Sequence, residues 1–279
     1  MIYDIQKASL TKRISAFLFD FVLMTIVVTG AMLLLSMAVN YDSYSIELEE
    51  KLVQVQTDYN IPSLEAKHKV TLGDYQYMTP EDQAKVPAEA KTAFDACIKT
   101  LNTDPEIAKL YATITNLSLI ILSFSILIGY LILEFGVPLL FKNGQTLGKK
   151  IFSIAIMRKD CVAISPMVMF IRTILGKYTI STMVPIFMFM SLLFGASPIM
   201  PLAVIILVLL LQVVFLITSG TRALIHDSLA STIVVDIQSQ MIFESPEALE
   251  QYKLRIHSEK ANAPEFKAET KAVENNSEQ

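Results

Sequence analysis

Two acidic residues lie inside long apolar runs, where an ionised side chain is costly. Asp20 interrupts the run from Ile14 to Val39, and Glu134 lies near the end of a second run that begins at about Thr113. A carboxylate at the centre of a bilayer costs about 2.5–3.5 kcal/mol, so it needs a cation, a proton or water beside it. Both acids are therefore candidates for a proton or ion site. For Asp20 the alternative is a structural ion pair that fixes helix register.

A polar stripe accompanies Glu134 along the second apolar run. Asn116, Ser123 and Tyr130 precede it at steps of seven, seven and four residues. This spacing places the four side chains on one face of an α-helix. The stripe predicts either a polar path for protons, joined by Gln212 in the fourth run, or hydrogen bonds between helices with no transport.

The partner of Asp20 is expected on another segment of the chain. Seven residues separate it from Arg13, which is about 10 Å along a helix axis and too far for an easy contact. An arginine at that position also extends towards the interface, away from the apolar interior. The cations available near the same end of the spans are Arg172, Lys177 and Arg222.

A third acid, Asp227, follows the last apolar run at a depth close to that of Arg13. An ion pair between Arg13 and Asp227 that fixes the fold is the expected contact. The alternative is a solvated acid at the interface that caps the following turn.

No enzyme site is apparent, and no cofactor or metal is predicted. His68, His226 and His257 are too far apart in sequence to indicate a triad or a metal site, and two cysteines cannot make a zinc site. The segment Gly144–Lys150 has three residues between its glycines, whereas a Walker phosphate loop needs four. We expect its glycines to make tight turns and its lysines to face lipid headgroups.

The composition is that of a polytopic membrane protein. Of the 279 residues, 53% are hydrophobic and 18% are charged, and four apolar runs approach or exceed the length of a bilayer span. The first run is too long for a signal peptide and contains an acid. The net charge of −4 gives no support for nucleic-acid binding. We predict an all-α fold with about four transmembrane helices.

Seven segments follow from this interpretation, including a short cytoplasmic β-hairpin from Ile151–Met157 and Val162–Ile164. The helix of Pro166–Leu175 is too short to span, so it is expected to lie at the membrane interface or to be re-entrant, before a separate third span. The segments are residues 1–39 with the N-terminus and first span, 40–104 with an acidic helical insertion, 105–140 with the second span and a helical extension, 141–165 with a loop and the hairpin, 166–219 with the interfacial helix and two spans, 220–237 with a closing box, and 238–279 with a charged, largely disordered tail.

Basic residues in the short loops set the expected orientation. They gather before the first span and in the loop after the second, which predicts that both termini are cytoplasmic in a cell membrane. Residues 40–104, with twelve acids against six lysines, are then extracytoplasmic. Four spans leave little room for a pathway in one protomer, which favours a homo-oligomer in the lipid bilayer. The insertion is also a candidate surface for a protein partner.

Three ordered motifs resemble those of the RDD family of membrane proteins. An arginine and an aspartate lie two turns apart in the first helix, a Gly-Gln-Thr-Leu-Gly-Lys box follows the second helix, and an aspartate box closes the region. In this sequence they are Lys12–Asp20, Gly144–Lys150 and His226–Val235. The long insertion departs from the short loop that family members often have, and Ser231 stands where a glycine is common.

The resemblance implies a fold more than an activity. Some family members are proposed cation/proton antiporters and others are accessory proteins. It accordingly implies either a proton-coupled sodium or potassium transporter or antiporter subunit, with Asp20 and Glu134 as the titrating groups, or a non-transporting scaffold that binds protein partners.

Overall fold

The computed structural model describes residues 5–141, 143–194, 198–221 and 223–261, and most of these are helical. In chain order its elements are α1 Leu10–Ala38, α2 Tyr41–Asp58, α3 Ile61–His68, α4 Leu72–Tyr77, α5 Pro80–Gln83, α6 Ala88–Thr103, α7 Pro105–Phe141, α8 Leu147–Ile151, β1 Ile154–Arg158, α9 Pro166–Leu193, α10 Ile199–Thr218, α11 Ile225–Leu229, β2 Thr232–Asp236 and α12 Pro246–Ala261.

Four helices of the described chain, α1, α7, α9 and α10, are long and apolar enough to cross a membrane. This confirms the predicted class, a helical polytopic membrane protein. The predicted division of α9 into an interfacial helix and a separate span is wrong. The helix continues through Gly176, which packs against His226. Lys177 can lie inside the helix because its ammonium is paired with Glu134 within the protein instead of reaching the surface.

Two of these helices contain π-helical segments, over Tyr130–Gly136 in α7 and over Ile171–Met183 in α9. At the end of each segment the backbone N–H bonds to the carbonyl five residues earlier, from Val137 to Ile132 and from Val184 to Thr179. Such segments widen the helix and shift the face on which later side chains lie.

A small antiparallel sheet joins β1 to β2, with Ile154 opposite Asp236 and Arg158 opposite Thr232. A short sheet containing β1 was predicted, but the strand predicted to pair with β1 was wrong. Residues 162–164 make only the single bridge Met157–Ala163 with β1 among the described residues. The run of β-branched residues in β2 offers five pairs and buries side chains on both faces of the sheet, which explains why it is preferred.

The chain forms two compact units, residues 1–28 with 126–279 and residues 29–125. The second unit contains the insertion and has its own apolar core. That core consists of Ile61, Leu64, Leu72, Tyr75, Val86, Ala90, Phe94 and Cys97. Within this unit, Thr79 caps α5 by accepting a hydrogen bond from Asp82 N–H.

The end of the chain is partly described. Helix α12, Pro246–Ala261, lies within the segment 238–279 that was predicted to be largely disordered. The rest of the tail predicted to be disordered, residues 262–279, lies outside the described residues. Arg222, a predicted ion-pair candidate, lies outside them as well.

Candidate functional site

Seven charged side chains from five helices meet inside the first unit. Each is 15% exposed or less. They comprise four cations and three carboxylates, and we call them the charged cluster. Its members are Arg13, Asp20, Glu134, Lys149, Arg172, Lys177 and Asp227.

Asp227 forms one end of the charged cluster, where two arginines meet it. Arg172 donates to Asp227 Oδ1 from Nε at 2.9 Å and from Nη2 at 2.7 Å, while Arg13 Nη2 lies 3.4 Å from Oδ2. The predicted Arg13 contact is therefore present, but Arg172 is the closer partner. The alternative of a solvated acid is wrong, since the Asp227 side chain is 1% exposed.

The charges around Asp227 decide its protonation and that of its neighbour. Burial alone would raise the pKa of Asp227, but the nearby Arg172 guanidinium and the other positive charges outweigh it and hold that pKa well below its usual range. Burial lowers the pKa of His226 to about 3 against the opposing charge of Asp227. At neutral pH, Asp227 is therefore ionised and His226 is neutral.

Asp20 lies at another edge of the charged cluster and binds the start of α8. Its Oδ2 accepts a hydrogen bond from Thr146 Oγ1 at 2.5 Å, and its Oδ1 accepts one from Gly148 N–H at 2.8 Å. Lys149 Nζ is 3.8 Å away. The partners of Asp20 lie on another segment, as expected, but the candidate cations Arg172 and Lys177 bind other acids. The third candidate, Arg222, lies outside the described residues.

Gly148 is required for this contact between α1 and α8. A Cβ at this position would lie 2.4 Å from the Ala16 carbonyl oxygen and 2.9 Å from Asp20 Cγ. The other glycine of the box, Gly144, has φ +67°, as the expected tight turn requires.

Glu134 lies between two lysines. Lys177 Nζ is 2.5 Å from its Oε1, and Lys149 Nζ is 3.9 Å from its Oε2. Among the described residues, Oε2 has no hydrogen-bond donor. Glu134 and Lys177 belong to the two π-helical segments, and Thr173 Oγ1 donates to the Glu134 carbonyl at 3.1 Å. The segments are thus joined by both an ion pair and a hydrogen bond.

The predicted polar stripe is only partly assembled. Asn116 is exposed and Ser123 is half-buried, and both lie in the second unit. Tyr130 bonds to Thr182 at 2.8 Å through their hydroxyls. The α-helical period used for the stripe does not hold beyond Tyr130, where the π-helical segment begins.

Gln212 connects three helices rather than joining Glu134. Its Nε2 donates to Ser181 Oγ at 3.0 Å, and its Oε1 accepts from Ile225 N–H at 3.4 Å. It therefore links α10 to α9 and to the first residue of α11.

Sequence reasoning missed Lys149, because both lysines of the box were expected to face lipid headgroups. Lys150 is exposed and lies over the Phe141 ring at 3.8 Å, but Lys149 is buried. Consecutive residues on a helix point about 100° apart, so the two lysines take different environments. The angle between consecutive residues was the signal in the sequence that could have separated Lys149 from Lys150.

The arrangement can exchange protons and can rearrange ion pairs, since three carboxylates and four cations share one buried volume. Among the residues that the structure describes, no three His, Cys, Asp or Glu side chains come together to hold a metal ion.

Comparison with known proteins gives one family match. The model of the RDD family matches residues 7–231. No curated protein and no solved structure matches the chain.

Proposed function

Since the chain belongs to the RDD family of membrane proteins, we propose that it is a proton-coupled sodium or potassium transporter or antiporter subunit that uses the charged cluster for proton exchange. The proposal places it in the cell membrane with both termini cytoplasmic, as the basic loops favour.

The environment of Glu134 carries the proposal. A buried carboxylate in a span needs one permanent cation for a purely structural role. Glu134 has two lysines, one hydrogen-bonded to Oε1 and the other 3.9 Å from Oε2. Glu134 can therefore pair with either of two lysines. A transport cycle needs such an exchange of partners, whereas a fixed ion pair does not.

The π-helical segments supply a way to change which lysine pairs with Glu134. Segments of this kind occur often at functional sites, and a change to α-helix turns the side chains that follow. Lys177 lies inside the segment Ile171–Met183, and Glu134 lies inside Tyr130–Gly136. A local change in either helix would therefore alter the contact between Glu134 and Lys177.

The proposed transporter works as a homo-oligomer. Four apolar helices leave little internal volume for an ion pathway in one protomer, and pathways between protomers remove this restriction.

Flux measurements with purified protein in liposomes test the proposal. An imposed pH gradient should drive sodium or potassium flux through the wild type. Glu134→Gln should abolish this flux, because the neutral amide cannot form an ion pair with either lysine. Asp160→Asn is the control, since Asp160 pairs with Arg158 at the surface at 2.6 Å. A folded wild-type protein that moves neither cation nor proton under any gradient would overturn the proposal.

A second candidate, a non-transporting scaffold, is favoured by the independent core of the second unit. In this alternative, residues 40–104 bind a protein partner. Replacing them with a short loop tests this alternative: loss of partner capture in cells, together with a wild-type protein that shows no ion flux, would favour the scaffold and assign binding to the insertion. Unchanged capture would contradict this role.

A further inference from the structure

Lys149 holds the least satisfied charge of the charged cluster. Its side chain is 10% exposed, and its Nζ lies 3.8 Å from Asp20 Oδ2 and 3.9 Å from Glu134 Oε2, beyond hydrogen-bond distance of both. Among the described residues, the ammonium makes one side-chain hydrogen bond, to Thr146 Oγ1 at 3.1 Å. An ammonium has three donors, so two of them have no acceptor in the described chain.

Both neighbouring carboxylates accept at least one hydrogen bond from a group other than Lys149. Asp20 accepts hydrogen bonds from Thr146 and Gly148, and Glu134 accepts one from Lys177 at 2.5 Å. If Lys149 loses its proton, each acid keeps a donor. If Lys177 lost its proton instead, Glu134 would lose its strongest partner.

The charges of the cluster leave one excess positive charge. Four cations stand against three carboxylates, so release of one proton makes the cluster neutral. The two arginines do not release protons at any physiological pH. The choice is therefore between the two lysines, and the preceding contacts favour Lys149.

Three helices present charged side chains to Lys149. Asp20 faces it from α1, Glu134 from α7, and Lys177 and Arg172 from α9. Burial lowers the pKa of Lys149 to about 8; Glu134 and Asp20 oppose this effect, and the two cations of α9 add to it. Lys150, on the same helix, is exposed and lies over Phe141.

We propose that Lys149 is the residue that binds and releases the exchanged proton, as an ammonium that becomes an amine plus H⁺. This assignment rests on the proposed transport function. It moves the titrating role from the acids of the spans to a lysine of the Gly-Gln-Thr-Leu-Gly-Lys box.

Variants that fix the charge at position 149 test the assignment in liposomes. Lys149→Arg keeps a permanent positive charge and Lys149→Gln a permanent neutral side chain, so both should lower the pH-driven flux about tenfold or more and remove its pH dependence near pH 8. Lys150→Arg is the matched control, next to it in the same helix, and should keep the wild-type profile.

The pH dependence of thermal stability tests the titration without transport. The pKa of Lys149 is about 8 in the folded protein and 10.5 as the ordinary value, so the unfolded chain binds more protons between these values. Stability from this group therefore rises as the pH rises from about 8 to 10.5. Lys149→Arg and Lys149→Gln should both lose this rise, and Lys150→Arg should keep it.

The outcomes separate the two proposals. Wild-type flux with the same pH profile in both Lys149 variants overturns the Lys149 assignment and leaves transport intact. Absence of wild-type flux overturns the transport function and with it the transport role of Lys149. A stability profile that neither Lys149 variant changes shows that Lys149 does not titrate and overturns the assignment independently of any flux.

Discussion

Gly148→Ala should separate α8 from α1 and destabilise the first unit. The added Cβ would lie 2.4 Å from the Ala16 carbonyl oxygen, and real Cβ contacts are essentially never shorter than 3.0 Å. The two helices must therefore move apart by about 0.6 Å. That movement lengthens the bond from Gly148 N–H to Asp20 Oδ1, now 2.8 Å, to about 3.4 Å.

The free energy follows from three contributions. Weakening a hydrogen bond to a charged group costs about 1.5–3 kcal/mol, and overpacking costs about 1–3 kcal/mol. Alanine is favoured over glycine in a helix by about 1 kcal/mol, which offsets part of the loss. The net destabilisation is about 1.5–5 kcal/mol.

Thermal unfolding of the protein in detergent measures this loss of stability. The folded fraction after heating is read by size-exclusion chromatography. Gly30→Ala is the matched control, because Gly30 lies in α1 and a Cβ there meets nothing within 4 Å among the described residues. The control should be as stable as the wild type or more stable. Equal melting temperatures for Gly148→Ala and Gly30→Ala would refute the close contact of α8 with α1.

Three further predictions concern the closing box and the orientation. Asp227→Ala should destabilise by about 3–5 kcal/mol because Arg172 is left buried and unpaired, and Arg172→Leu in the same chain should recover part of the loss; simple addition of the two effects on melting would contradict the pair. Ser231→Gly should stabilise by about 1 kcal/mol, since Ser231 has φ 51°, and a lower melting temperature would count against this. An impermeant thiol reagent on intact cells should label Tyr77→Cys, 88% exposed in the second unit, and spare Lys150→Cys; the opposite result inverts the orientation.

The sequence was sufficient for the fold class and the family. Uninterrupted apolar runs of span length determine the helices, because every backbone polar group in a bilayer must be satisfied within the chain. The three ordered motifs indicated the family, and the match to residues 7–231 confirms it. The glycine that is common at the position of Ser231 has a structural reason, since the left-handed backbone there is one that glycine adopts more easily.

The pairing of the charges could not be predicted from spacing. Asp20 binds the backbone and a hydroxyl of α8, contacts that no charge pattern indicates. The predicted interfacial helix ended at Leu175, which placed Lys177 between two helices. Its pairing with Glu134 makes one continuous helix possible instead.

The local geometry of the helices was also beyond the sequence. The α-helical period that aligned Tyr130 with Glu134 assumes 3.6 residues per turn, and the π-helical segment that begins at Tyr130 changes this period. The strand that pairs with β1 comes from far along the chain, whereas the prediction used the nearest apolar run.

Coupled ion flux is the most direct test of the charged cluster as a proton-exchange site. Proteoliposomes that report internal pH and internal sodium or potassium together should show, for the wild type, proton movement that is coupled to cation movement. Glu134→Gln should show neither, while Asp160→Asn should match the wild type. Coupled flux that persists unchanged in Glu134→Gln, or its absence from a folded wild-type protein, would contradict the account.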